Sequence, residues 1–188
     1  MRTLLDKTAQ LPIKTIRPLH GPILEDNLSE YLDLYKTWSN YAVETEGIFI
    51  ACASIHGGTM AAAEKLAEIL RSKGVERVVV SDLCRSDFAE NVEDAFRHSK
   101  LVLAASSYDA GVFTPMYEFL HRLQIKGFCN RKVALIENGS WAPSAGRVMK
   151  EMLSTMNGIE LVEPMVTIKS RMKQSDIPAL ESLADAIK

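Results

Sequence analysis

Residues Ile48–Met60, IFIACASIHGGTM, decide the fold of this chain. The apolar run Ile48–Ala53 reads as a buried strand, and Ala62, Leu66, Ile69 and Leu70 recur at helical spacing directly after it. Between them lies a strand-to-helix turn holding Ser54, Ile55, His56, Gly57, Gly58 and Thr59. Glycine permits positive φ and close backbone approach. The first N–H groups of the helix have no partners within it, and the helix dipole favours an anion there. Ser54 and Thr59 add hydroxyls. The turn contains no Lys or Arg, so a phosphate would be held by dipoles and hydrogen bonds. Taken alone, the turn is equally readable as an ordinary hydroxyl-capped connection.

Length and composition set the bounds. The 188 residues suffice for one full domain plus an appendage, and 47% apolar with 24% charged residues is the balance of a soluble globular protein. A formal charge of −2 gives no electrostatic reason to expect nucleic acid or an anionic membrane as partner. No apolar run reaches the ~20 residues of a membrane span, and the N-terminus has no signal-peptide core. Cys52, Cys84 and Cys129 are odd in number and far apart. Reduced thiols in a cytoplasmic setting are therefore expected, as small core or loop residues and not as a disulfide or zinc framework.

Working outward, Gly47 opens a rhythm of short apolar strands and amphipathic helices. Val78–Val80 form the second strand, ending at Ser81 and Asp82. Asp87 and Glu90 have capping-box spacing at the start of a helix whose inner face is Phe88, Val92, Ala95 and Phe96. Leu101–Ala105 form the third strand, running into a polar loop from Ser106 to Gly111. Thr114 then reads as a cap, followed by Pro115 at the first position of a helix with Met116, Leu120 and Leu123 inside. Val133–Ile136 form the fourth strand and deliver the loop Glu137–Trp141. A helix buries Val148, Met149, Met152 and Leu153. The last strand lies within Ile159–Ile168, and Leu180, Leu183, Ala184 and Ile187 carry the final helix.

Five strand-plus-helix units with nearly all-apolar strands describe a doubly wound parallel sheet covered on both faces. Ligands of such sheets bind beyond the carboxyl ends of the strands. The loops richest in Gly, Ser and Asn follow strands one, three and four. Residues 1–46 differ: Pro18 and Pro22 bracket His20 and forbid regular structure, and Leu28, Tyr31, Leu32 and Tyr35 then fall at helical spacing.

Together the three loops resemble the flavodoxin domain of the flavo-diiron proteins (A-type flavoproteins). Ser54-Ile55-His56-Gly57-Gly58-Thr59 is similar to that family's phosphate loop. Ala104-Ala105-Ser106-Ser107-Tyr108-Asp109-Ala110-Gly111-Val112-Phe113 stands where the family reads roughly Gly-Ser-Pro-Thr-Tyr-Asn-Gly-Gly-Leu-Phe. Asn138-Gly139-Ser140-Trp141-Ala142-Pro143 stands for Ser-Tyr-Gly-Trp-Ser-Gly. The departures are the missing Pro and Asp for Asn in the second loop, and Ala-Pro in the third. His20-Gly21-Pro22, the helix through Leu32–Tyr35, and Trp38-Ser39 are similar to the end of that family's metallo-β-lactamase-like domain.

The resemblance implies a flavodoxin-like three-layer α/β/α sandwich with a five-stranded parallel sheet of order 2-1-3-4-5. Residues 1–46 would be the C-terminal remnant of a metallo-β-lactamase-like domain plus a linker helix, and 47–188 an FMN-binding domain. The cofactor-binding residues implied are Ser54, Ile55, His56, Gly57, Gly58, Thr59, Ser106, Ser107, Tyr108, Asp109, Gly111, Asn138, Gly139, Ser140 and Trp141. Tyr108 and Trp141 are the candidates for stacking on the flavin ring. The implied activity is electron transfer as an oxidoreductase component. Electrons would come from a redox protein such as rubredoxin, or from a reductase, with a homodimer as the assembly. They would go to a di-iron domain, which the chain lacks either as a truncated piece or as a naturally short relative. No catalytic acid or base and no metal site are expected, and His98 and His121 read as solvated side chains.

Other readings fare less well. A dinucleotide-binding site, with Asp82 as the ribose-binding acid, lacks the Gly-x-Gly-x-x-Gly spacing, and a nucleotide P-loop lacks Gly-Lys-Ser/Thr. A receiver-like module would want an acid where Ala105, Ser106 and Ser107 stand. A cofactor-free flavodoxin-like interaction module, or a flavin reductase, remains open.

Overall fold

The computed structural model describes residues 2–188, which form two compact units, one ending at Glu44 and the other Thr45–Lys188. In the first unit, α1 (Arg2–Thr8) and α2 (Leu28–Ser39) bracket a proline-containing segment whose regular pairing is one antiparallel bridge, Ile16 with Leu24. Helix α1 had no counterpart in the sequence reading. The Arg2 Nε donates to the Ser39 carbonyl at 2.8 Å, linking the two helices. Tyr35 and Trp38 meet edge to face at 5.6 Å, and the indole N–H donates to Glu44 at 2.7 Å. Neither helix buries a residue fully.

The second unit is built on β1 (Thr45–Ala53), which lies between β2 (Val78–Asp82) and β3 (His98–Tyr108). β5 (Arg131–Asn138) and β6 (Ile159–Ile168) extend the sheet beyond β3, and every one of these neighbours is parallel. Strand alternation divides the core. Ile48, Ile50 and Cys52 face the layer of α3 (Gly58–Ser72) and α7 (Ile177–Ile187). Phe49, Ala51 and Ala53 face that of α4 (Phe88–Arg97), α5 (Thr114–Ile125) and α6 (Ala145–Leu153). Phe49, Phe119 and Phe128 are almost completely buried on the second face, each contributing roughly 1.5–3 kcal/mol. Among the described residues no helix is long and apolar enough to cross a membrane.

The sheet has the five expected parallel strands in their expected succession but adds a strand to the order 2-1-3-4-5. It has six, in the order β2-β1-β3-β5-β6, with the two-residue β4 (Gly111–Val112) paired to β3 off this path. Ser106–Tyr108 is not loop, because β3 runs on to Tyr108 and turns back antiparallel, pairing Ser107 with Val112 and Tyr108 with Gly111. Asp109 (φ 48°) and Ala110 (φ 56°) supply two consecutive left-handed residues, as a tight hairpin turn requires.

Two smaller expectations also change. Phe113, not Thr114, precedes the first turn of α5, and no side chain caps it. His98 is buried, at 1% exposure, because β3 begins there as α4 ends. Its ring stacks on Phe49 with centroids 6.2 Å apart, Nδ1 donates to the Asp94 carbonyl at 2.9 Å, and Nε2 has no hydrogen-bond partner. Elsewhere the capping expectation is met in its N-cap half: the Asp87 carboxylate accepts from the N–H groups of Ala89 and Glu90 at 2.8 and 3.1 Å.

Candidate functional site

The register of the sheet sets Ala53, at the end of β1, beside Ala105, and Ser106 beside Asn138. The chain therefore leaves β1, β3 and β5 at one edge, and the three loops meet over it. They enclose a cleft of about 350 Å³.

The turn after β1 forms one end. Gly57 has φ 83°, a conformation that side-chain-bearing residues rarely adopt, and precedes the first turn of α3. At Gly58 a Cβ would stand 2.5 Å from the Ser170 carbonyl oxygen, so only glycine fits. The Ser54 hydroxyl accepts from the Gly57 N–H at 3.0 Å. Thr59 is completely buried, and its hydroxyl pairs with that of Ser106 at 2.9 Å, joining the first loop to the second.

Ser107 fixes the end of β3 to α6. Its hydroxyl accepts from the N–H groups of Ser144 and Ala145 at 2.8 and 3.1 Å, occupying donors at the start of that helix. The Ser144 hydroxyl donates to the Gly111 carbonyl at 2.7 Å, and an Arg147 N–H reaches the Ala110 carbonyl at 3.4 Å. Tyr108 packs edge to face on Phe113 at 5.8 Å and remains 48% exposed.

The third loop starts from two buried polar residues. Glu137 accepts from the Gly146 N–H at 2.8 Å and from the Thr167 hydroxyl at 2.9 Å, binding β5 to α6 and β6. Asn138 donates to the Ser170 carbonyl at 2.8 Å and accepts from the Ser170 N–H at 2.9 Å. The Gly139 N–H donates to the Ile168 carbonyl at 3.1 Å. Beyond this the loop is open: Trp141 is 96% exposed.

Of the sequence-predicted residues, all but Gly57 and Gly111 line the cleft. Gly57 shapes the start of α3, and Gly111 belongs to β4 and receives the Ser144 hydroxyl. The lining residues that the sequence reading missed are Ala110, Ala142, Ser144 and Ser170. A signal for Ser170 was present, since the polar segment Lys169–Asp176 follows the last strand and so leaves the sheet at the same edge as the other loops. Among the described residues no group of three or more His, Cys, Asp and Glu side chains could hold a metal ion.

Electrostatic perturbation lies beside the first loop. Burial, and then the hydrogen bond and charge of Asp82, push the Cys84 thiol pKa up, while its Sγ lies 3.8 Å from the Ser54 carbonyl. For Asp82 burial acts in the upward direction, but bonds from the Cys84 N–H and the Arg85 side chain outweigh it and hold the carboxyl below its ordinary value. Cys52 is buried in β1 and its thiol is raised far more, chiefly by that burial.

The fold so described is the flavodoxin-like α/β fold. The sequence matches no family model and no curated protein. Among solved structures, the chain is similar to rubredoxin oxygen:oxidoreductase from Desulfovibrio gigas, at 16% identity and a TM-score of 0.87 over 99% of this chain and 47% of that one. The flavodiiron protein from Giardia intestinalis gives 18% identity and a TM-score of 0.86 over 98% of this chain and 46% of that one. A flavodoxin from the domain Archaea matches at 19% identity and a TM-score of 0.63, over 74% of this chain and 94% of its own length. The chain thus spans about half the length of the Desulfovibrio gigas and Giardia intestinalis structures that it resembles.

Proposed function

We propose that this chain is an FMN-binding electron-transfer unit. It takes electrons from a redox protein such as rubredoxin, or from a reductase, and passes them towards a di-iron domain. The observation that supports this reading most is the meeting of three hydroxyl- and glycine-bearing loops in one cleft on a flavodoxin-like sheet. Its volume of about 350 Å³ lies within the roughly 300–1,000 Å³ of small-molecule and cofactor sites. The name of the Desulfovibrio gigas neighbour, rubredoxin oxygen:oxidoreductase, supports rubredoxin as the type of partner.

The donor set fits a phosphorylated flavin. Ser54 and Thr59, with the main chain of His56, Gly57 and Gly58, would hold the phosphate at the start of α3. Ser106, Ser107, Tyr108 and Asp109 would flank one side of the ring system, and Asn138, Gly139, Ser140 and Trp141 the other. Ile55, Tyr108 and Trp141 expose apolar surface at the rim for a flat ring to cover. The Asp109 carboxylate would disfavour added negative charge beside it. Once bound, FMN would supply the electron-carrying chemistry. Residues 1–46 are assigned, on the same reading, as the end of a metallo-β-lactamase-like domain with its linker helix, and a homodimer is the assembly in which electrons cross between subunits.

The test is flavin uptake. Purified protein is mixed with excess FMN, desalted, and its visible spectrum recorded. Retained flavin bands near one equivalent support the reading. A colourless protein rejects it and leaves a cofactor-free interaction module on the same fold.

A further inference from the structure

Lys169 and Arg171 stand on either side of Ser170, both exposed and, among the described residues, neither in an ion pair. Ser170 itself lines the cleft and is fixed there. Both ends of the Asn138 amide hold its main chain, at 2.8 and 2.9 Å, and its carbonyl lies so close to Gly58 that no side chain could stand between them. Ser170 also takes φ 69°, a left-handed conformation that an L-residue keeps only when its surroundings enforce it. The backbone carrying both cations is thus held against the first residue of α3. Neither side chain lines the cleft itself, but the Cα of each is one step, about 3.8 Å, from that of Ser170, whose carbonyl meets that helix start. The turn after β1 has no cation of its own, and Asp109 is the one carboxylate among the described residues lining the cleft.

We propose that Lys169 and Arg171 make the cleft selective for a phosphorylated flavin over an unphosphorylated one. The proposal rests on the reading of this cleft as a flavin site. Hydroxyls and backbone N–H groups orient a phosphate without neutralising it, whereas the two cations set a positive field over the same end of the cleft. Asn138 is the positioning residue for this field, because it anchors the loop that carries the charges. Both side chains are exposed, so their attraction is screened by salt, with a Debye length of about 10 Å at 0.1 M.

The test compares FMN with riboflavin, titrated by flavin fluorescence at low and high salt. Three proteins are used: the wild type, the double variant Lys169→Gln/Arg171→Gln, and the control Lys100→Gln/Lys132→Gln. The control removes two cations near the starts of β3 and β5, the opposite end of those strands from the cleft. At low salt the first variant should bind FMN about tenfold more weakly, the sum of two exposed charge interactions. High salt should remove most of this difference, riboflavin affinity should not change, and the control should behave as wild type. Equal FMN affinity in wild type and variant overturns the proposal and leaves the flavin reading intact. An equal loss for FMN and riboflavin also overturns it, since that marks a disturbed cleft and not a phosphate field. Wild-type protein that binds neither ligand overturns the flavin reading and the proposal with it.

Discussion

Asn138 and Ser170 are joined by a two-point clamp, with the side-chain amide donating to the Ser170 carbonyl at 2.8 Å and accepting from its N–H at 2.9 Å. This pair closes the cleft at the end of β5, because it holds the segment after β6 against the start of α3. Asn138 is 7% exposed, so truncation leaves buried polar groups without partners. Asn138→Ala should cost about 2 kcal/mol, read as a lower midpoint in chemical denaturation with an unchanged slope. It should also weaken FMN binding, whereas a change confined to stability would detach the clamp from the site.

Gly58 faces the same carbonyl. Because a Cβ would stand 2.5 Å from the Ser170 oxygen, Gly58→Ala forces the segment after β6 outward. A destabilisation of about 1–3 kcal/mol is expected, despite alanine's better helix propensity. Thermal unfolding checks this, and a more stable variant would mean that the contact is looser than described.

The turn at Asp109 and Ala110 holds two non-glycine residues at positive φ. Left-handed backbone costs roughly 1–2 kcal/mol for alanine, and glycine returns part of that through the entropy of the unfolded chain. Ala110→Gly should therefore stabilise by about 0.5–1 kcal/mol, a rise in Tm of roughly 1–4 °C for a domain of this size. A fall in Tm would show that the hairpin is not strained.

Cys84 is exposed, yet burial of its sulfur and the Asp82 carboxylate raise its thiol pKa. The neutral thiol is favoured, so alkylation should be slow at neutral pH and accelerate only as the pH climbs above the ordinary cysteine range. Asp82→Asn removes the negative charge, lowers the thiol pKa and should speed alkylation at pH 8. Iodoacetamide labelling followed by mass spectrometry checks both, and an unchanged rate in the variant would contradict the assignment.

Much of the fold was legible because its strands are apolar and the central ones, β1, β3 and β5, are buried on both faces. Val78–Val80, Leu101–Ala105 and Val133–Ile136 read as continuous apolar runs, and Leu180, Leu183, Ala184 and Ile187 are the buried residues of α7. Features set by tertiary contact were not legible. Ser106 and Ser107 look like loop because they are polar, yet strand pairing and the bond from Ser107 to the start of α6 hold them in β3. His98 looks solvated because helical periodicity stops at Arg97, and only the sheet shows that it enters the core against Phe49. The cleft was legible through its three glycine- and hydroxyl-bearing loops. Its fourth contributor, Ser170, was signalled only by the polar segment after the last strand, because Asn138 and not a local motif brings it there.

The most direct test of the flavin reading is an FMN titration of the wild type beside Thr59→Val, a near-isosteric change that removes the buried hydroxyl bonded to Ser106. Tight one-to-one binding by the wild type, weakened about tenfold or more in the variant with the fold intact by circular dichroism, is the predicted result. Absence of saturable FMN binding by the wild type, or equal affinity in the two proteins, would contradict the assignment of the turn after β1 as the phosphate site.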